Sequence, residues 1–97
     1  MSGKATKLDL IASVANLTGL TQTETKIAVE ELLSVIVEEL EKGHTIELRG
    51  FGTFFTKVRK ARPARNPKTG EVVPLSQRIV PLFKYAGDMK KRVASGS

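Results

Sequence analysis

The chain has no cysteine and no tryptophan, a single histidine, and only four phenylalanines and one tyrosine among its 97 residues. Without cysteine there is no disulfide framework, no thiolate nucleophile and no cysteine-based zinc site, so stability has to come from packing, as suits a reducing compartment. The lone histidine, His44, follows Gly43 at the end of a helical pattern, where a surface role outweighs catalysis, and no nucleophile–base pair or metal-ligand cluster accompanies it. Gly50-Phe51-Gly52 lacks the third glycine and following helix of a phosphate-binding fingerprint. The residues imply no cofactor, and the protein is expected not to be an enzyme. No run approaches the roughly 18–20 apolar residues that cross a bilayer, and Met1 to Lys7 leads into an amphipathic pattern rather than an apolar leader. A soluble, unexported protein is expected.

Acid is the other scarcity. Residues 49–97 hold two acidic residues against twelve basic ones (+10), whereas residues 1–48 hold eight against four (−4). Such asymmetry points to a polyanionic partner for the C-terminal half. A chain of 97 residues with 40% hydrophobic content suits one compact domain, 1–97, of the α+β class, with no room for a second.

What is present falls into three stretches. Thr6 with Asp9, and Thr21 with Glu24, are capping-box signals. The first precedes Leu8, Ile11, Val14 and Ala15 at helical spacing, predicting helix one over about 7–18 with Gly19 as its stop. The second precedes Val29, Leu32, Leu33, Ile36, Val37 and Leu40, predicting a longer helix two ended by Gly43. Ile27, Ala28 and Val35 widen its apolar surface beyond what one short helix and a small sheet could cover. A helical dimerisation body over about 6–43 is therefore expected, with a homodimer as default and a heterodimer possible in principle.

After Gly43 the period changes to two. Thr45 to Arg49 and Thr53 to about Val58 read as a hairpin turned by Gly50-Phe51-Gly52, and Ile79 to Phe83 as a returning strand, so that sheet and arm span about 45–83. Between Lys57 and Arg78 large apolar residues nearly vanish, and Asn66-Pro67-Lys68-Thr69-Gly70 forms a turn, predicting a protruding two-stranded ribbon. Pro63 and Pro74 lack ladder donors, and an isolated hairpin is marginal in water, so a mobile arm is expected. Asp88 to Val93 reads as a short basic third helix, within about 86–94, ahead of an Ala94-Ser95-Gly96-Ser97 tail.

Lys57, Arg59, Lys60, Arg62, Arg65 and Lys68 place six cations in twelve residues with no acid among them. On an extended ribbon they alternate between faces, and a ribbon charged on both faces suits the interior of a groove. Arginine favours phosphate and narrow minor grooves over simple solvation. Pro67 is a turn proline by type, yet its rigid ring without an N–H, carried between Arg65 and Lys68, also suits a wedge between base steps. RNA is the stronger rival partner, although the wide, shallow minor groove of an A-form helix suits a clasping arm poorly. A membrane surface is the weaker rival, because the basic segment is neither helical nor aromatic, and no membrane partner is expected.

Gly50-Phe51-Gly52-Thr53-Phe54, Arg62-Pro63-Ala64-Arg65-Asn66-Pro67-Lys68-Thr69-Gly70-Glu71 and Val80-Pro81-Leu82-Phe83-Lys84 strongly resemble the bacterial HU and integration-host-factor (IHF) family, over about residues 7–94. The resemblance implies an intertwined dimer: two N-terminal helices, a three-stranded antiparallel sheet with a long β-ribbon arm, and a short C-terminal helix. It implies an architectural protein of the bacterial cytoplasm and nucleoid that binds double-stranded DNA in the minor groove, bends it, and so compacts or organises it. DNA that is distorted, nicked or flexible would be preferred, since less deformation energy is then required. By position the arm contacts fall on Arg59, Arg62, Arg65, Asn66 and Lys68, the intercalating proline on Pro67, and the body contacts on Lys7, Arg78, Lys84 and Lys90. Two departures stand out: Ala64 where many relatives have glycine, and Tyr85-Ala86 in place of the usual proline-glycine.

Overall fold

A computed structural model of the chain describes residues 3–65 and 68–96. It holds three helices, a three-stranded antiparallel sheet and an additional two-stranded pair. The chain divides into two compact units, residues 1–38 and 39–97.

Helix α1 spans Lys7–Thr18 and α2 spans Gln22–Glu41. Both capping boxes form. Thr6 N–H donates to Asp9 Oδ2 at 2.9 Å while Asp9 N–H donates back to Thr6 Oγ1 at 3.3 Å. Thr21 and Glu24 exchange the same two bonds, each at 3.0 Å. These bonds satisfy N–H groups that a helix start would otherwise orphan. Gly19, with φ 81°, ends α1, and its N–H bonds the Ala15 carbonyl. At the end of α2, Gly43 N–H reaches Leu40 O and His44 N–H reaches Glu39 O, the two bonds of a Schellman cap.

The interior of the first unit is small. Among its described residues Ile11, Ala15 and Thr25 are buried, and Thr25 hides its hydroxyl by donating to Thr21 O at 2.8 Å. Full burial of Ile11 contributes about 1.5–3 kcal/mol. Along α2, by contrast, Ile27, Leu32, Leu33, Val35 and Val37 are 46–60% exposed in the single chain.

In the second unit β1 (Ile46–Leu48), β2 (Gly52–Arg59) and β5 (Arg78–Tyr85) form the sheet in the order β1-β2-β5. Strands β3 (Arg62–Arg65) and β4 (Val72–Leu75) form the outer pair. Phe51 N–H bonds Leu48 O, closing the hairpin turn with Gly50 at φ 80°. Gly52 is buried against Phe83; a Cβ there would clash with the edge of the Phe83 ring and lie 2.6 Å from the Lys84 carbonyl oxygen. One sheet face carries Ile46, Leu48, Phe54, Val58, Ile79 and Phe83, with the Phe54 and Phe83 rings 4.7 Å apart.

Three boundaries differ from the sequence reading. The single ribbon expected over 57–78 is interrupted at Lys60-Ala61 and Ser76-Gln77. The return strand begins at Arg78 and ends at Tyr85, not Phe83, because Thr53 and Gly52 extend the ladder to Lys84 and Tyr85. Helix α3 spans Gly87–Gly96, so Ala94 to Gly96 belong to it rather than to a tail; neither Ala94 nor Ser95 breaks a helix, and the Ser95 hydroxyl bonds the Arg92 carbonyl at 3.3 Å.

Candidate nucleic-acid interface

The β2–β5 ladder pairs Thr53 with Lys84, Phe55 with Leu82, Lys57 with Val80, and Arg59 with Arg78. Directly opposed residues share a face, and alternate pairs share the same one, so Lys57, Arg59, Arg78 and Lys84 lie together on the face opposite Phe54 and Phe83. Half-buried Phe55, Val80 and Leu82 fill the space between them. The outer part is concave, a depression lined by Lys57, Arg59, Lys60, Arg78, Val80 and Leu82.

Placing Arg59 directly across from Arg78 is electrostatically unfavourable in the free chain. Among the described residues no salt bridge relieves it: the ion pairs are Lys7–Glu30, Lys42–Glu39 and His44–Glu39, none involving this face. The acid on this face, Glu47, sits opposite Thr53 at the far end of the ladder, so two opposed guanidinium groups with no ion pair among the described residues are left for an anion from outside. The half-buried apolar residues between the cations also make the surface less hydrated, which strengthens any charge–charge contact made there.

The other candidate residues are distributed as follows. Lys60 is exposed in the interruption beyond β2, and Arg62 and Arg65 lie on β3. Lys68 is exposed in the turn that leads to Gly70, whose φ of 76° fits the predicted turn. Asn66 and Pro67 lie outside the described residues. Lys90 is exposed on α3. Lys90 N–H bonds the Ala86 carbonyl, and Ala86 N–H bonds Phe51 O at 2.9 Å, so the Tyr85-Ala86 departure still produces a defined helix start, tied to the hairpin turn. Lys7 is exposed on α1, with its ammonium 2.9 Å from Glu30 Oε2 on α2. That partner holds the Glu30 carboxyl below the ordinary glutamate range.

Arg49 was not singled out by the sequence. It lines a second depression, beside the hairpin turn, with Lys84, Thr53 and Tyr85 and with the acid Glu47. Its signal in the sequence was only its place beside Gly50, one residue beyond β1. His44, set aside as a catalytic residue, lies with Nδ1 2.9 Å from Glu39 Oε1, just past the end of α2, and both His44 and Lys42 hold the Glu39 carboxyl below its ordinary range. Among the described residues no three metal-ligating side chains cluster, and no helix is long and apolar enough to cross a membrane.

Comparison with known proteins gives these features a context. The model of the family described as bacterial DNA-binding protein matches residues 5–94. The chain is 46% identical over 89 residues to the DNA-binding protein HU of Lactococcus lactis, covering 92% of this chain and 98% of the relative. It is 42% identical over 97 residues to the integration host factor subunit alpha of Afipia carboxidovorans, covering 99% and 85%. Among solved structures, an HU–DNA cocrystal from Anabaena superposes with a TM-score of 0.88 at 32% identity, covering 93% of this chain and 98% of that one. An HU variant from Thermotoga maritima superposes with a TM-score of 0.68 at 31% identity, covering 92% and 99%.

Proposed function

The chain belongs to the bacterial DNA-binding protein family of HU and integration host factor, and from that premise we propose that it is a dimeric clamp that binds and bends duplex DNA. The observation that carries the reading is the unrelieved pair Arg59–Arg78 on a sheet face shared with Lys57 and Lys84. A phosphate backbone supplies the missing negative charge, and the counterions it releases make binding steeply salt-dependent. The relative from Anabaena was crystallised with DNA, which supports the same partner here.

In this reading two copies join through the exposed apolar residues of α2, and the sheet faces form one basic saddle. Lys7, Lys84, Arg78, Lys90 and Arg49 hold phosphates of the flanking duplex, while the arms, with Lys57, Arg59, Lys60, Arg62, Arg65, Asn66 and Lys68, enter the minor groove. Pro67 unstacks a base step and kinks the duplex toward the major groove. Bending a 20–30 base-pair site costs about 1–6 kcal/mol, offset by contacts to the wrapped flanks, so nicked or flexible DNA binds more tightly. No covalent chemistry is involved, and the site of action is the nucleoid.

The test is duplex affinity measured as a function of salt. With about eight phosphates neutralised, the slope of log affinity against log salt is expected near −7. Arg59→Ala with Arg78→Ala is expected to make it shallower by about 3.6, because each of the two copies loses two cations. A wild-type slope near −2, or no change in the variant, would remove the saddle from the account. Duplex RNA of equal length is expected to compete poorly.

A further inference from the structure

We propose that Pro63 and Pro74 build an elbow into the arm at Lys60-Ala61 and Ser76-Gln77, about which the outer strand pair turns; its role in gripping the duplex rests on the DNA-binding reading above.

An antiparallel pair alternates between narrow positions, where opposed residues exchange both N–H···O bonds, and wide positions, where their N–H groups point away. Ala86 N–H donates to Phe51 O at 2.9 Å, one step beyond the Gly52–Tyr85 pair, which makes this a narrow position. By alternation Thr53–Lys84, Phe55–Leu82, Lys57–Val80 and Arg59–Arg78 are narrow too. Pro81, opposite Thr56, then falls at a wide position, where a residue without an N–H removes no bond. In the outer pair Pro63 lies directly opposite Pro74. At a narrow position the two would leave both bonds unmade, so theirs is wide, and Arg62–Leu75 and Ala64–Val73 are narrow.

The two ladders are therefore out of phase. From Arg59–Arg78 to Arg62–Leu75 is three residues along each strand, whereas narrow positions recur every two. The Cα pairing continues without a slip while the hydrogen-bond phase shifts, and a continuous ribbon cannot do both. The mismatch is taken up at Lys60-Ala61 and Ser76-Gln77, exposed residues at matching levels that lie outside every strand. With neither strand in regular pairing at that level, the ribbon has least resistance to bending there. The level adjoins the depression of Lys57, Arg59 and Arg78, so the outer pair can change direction while these cations stay fixed on the sheet.

Proton NMR of the full chain reads the phase, because opposed Cα atoms approach to about 4.5 Å at wide positions and about 5.5 Å at narrow ones. Cross-strand Hα–Hα contacts are expected at Val58–Ile79 in the inner ladder and at Pro63–Pro74 in the outer one. In the double variant Pro63→Val with Pro74→Val, the restored donors let one phase run through, moving the outer contacts to Arg62–Leu75 and Ala64–Val73. Affinity for a duplex of roughly 30 base pairs is then expected to fall about tenfold, with smaller losses for each single variant, since one remaining proline still opposes the narrow pairing. Wild-type contacts at Arg62–Leu75 would overturn the phase break. A shifted phase with undiminished affinity would overturn the elbow's role. A wild-type chain that shows the Pro63–Pro74 contact but binds no duplex would instead overturn the DNA-binding reading and leave the phase break standing.

Discussion

The helical and β portions of this chain are incomplete in opposite ways. The Lys–Glu ion pairs among the described residues belong to the helical portion, Lys7 with Glu30 and Lys42, just past α2, with Glu39, while Leu32, Leu33 and Val35 on α2 remain about half exposed. On the basic face of the sheet charge is unmatched, with Arg59 opposed to Arg78 and no carboxylate paired to either among the described residues. Each deficit names what completes it. An apolar surface is completed by another apolar surface, most simply a second copy of the same helix, and an unpaired cationic face is completed by a polyanion.

The largest effect is expected at the helices. Leu33→Asp puts a charge into the apolar surface of α2 that the proposed dimer would bury, and is expected to destabilise that assembly by about 3–5 kcal/mol, because an uncompensated buried charge is the costliest defect of this kind. Melting followed at several protein concentrations checks it: wild type is expected to melt higher when more concentrated, and the variant to lose that dependence together with most of its stability. A variant that melts as wild type does would show that the α2 stripe is not an interface.

A smaller effect is expected within the sheet. Gly52→Ala forces a methyl group against the Phe83 ring and the Lys84 carbonyl. Overpacking of this kind costs about 1–3 kcal/mol, read as a lowered melting temperature. Because Lys84 is paired with Thr53, next to Gly52, DNA affinity is expected to fall as well, which would tie the packing of the apolar face to the aim of the cations on the other.

The smallest effect concerns the helix starts. Backbone and hydroxyl bonds from Thr6 hold the Asp9 carboxyl below its ordinary range, and those from Thr21 do the same for Glu24. A carboxyl depressed in the folded state adds stability that is fully present above its unfolded value and is lost as pH falls through the folded one. Acid titration of helicity is therefore expected to show a modest loss below the ordinary carboxylate range, and Asp9→Asn with Glu24→Gln to flatten it. Since both groups are exposed, the change is expected to be small and weaker in high salt.

Much of this was legible in the sequence, for local reasons. Thr6/Asp9 and Thr21/Glu24 announce helix starts because the capping bonds span only three residues, and Gly19 and Gly43 announce ends because few other residues adopt a positive φ. The basic run from Lys57 to Lys68 was visible as composition alone. What escaped depends on which residues are opposite one another. Nothing in the spacing of Arg59 and Arg78 says that they face each other; that follows from the β2–β5 register. Likewise Pro63 and Pro74 each read as edge prolines, and only their pairing reveals the phase break. Lys7, placed among the DNA contacts by resemblance, has a carboxylate partner on α2 that no motif predicts.

In the proposed function the basic face and arms bend the duplex rather than merely coat it. End-to-end energy transfer on a doubly labelled duplex of roughly 30 base pairs, well below the persistence length of DNA, tests it most directly. Titration with wild type is expected to shorten the end-to-end distance, and Pro67→Ala to bind with a weaker shortening. Binding by wild type with no shortening would contradict the account and reduce the protein to a basic coat on DNA.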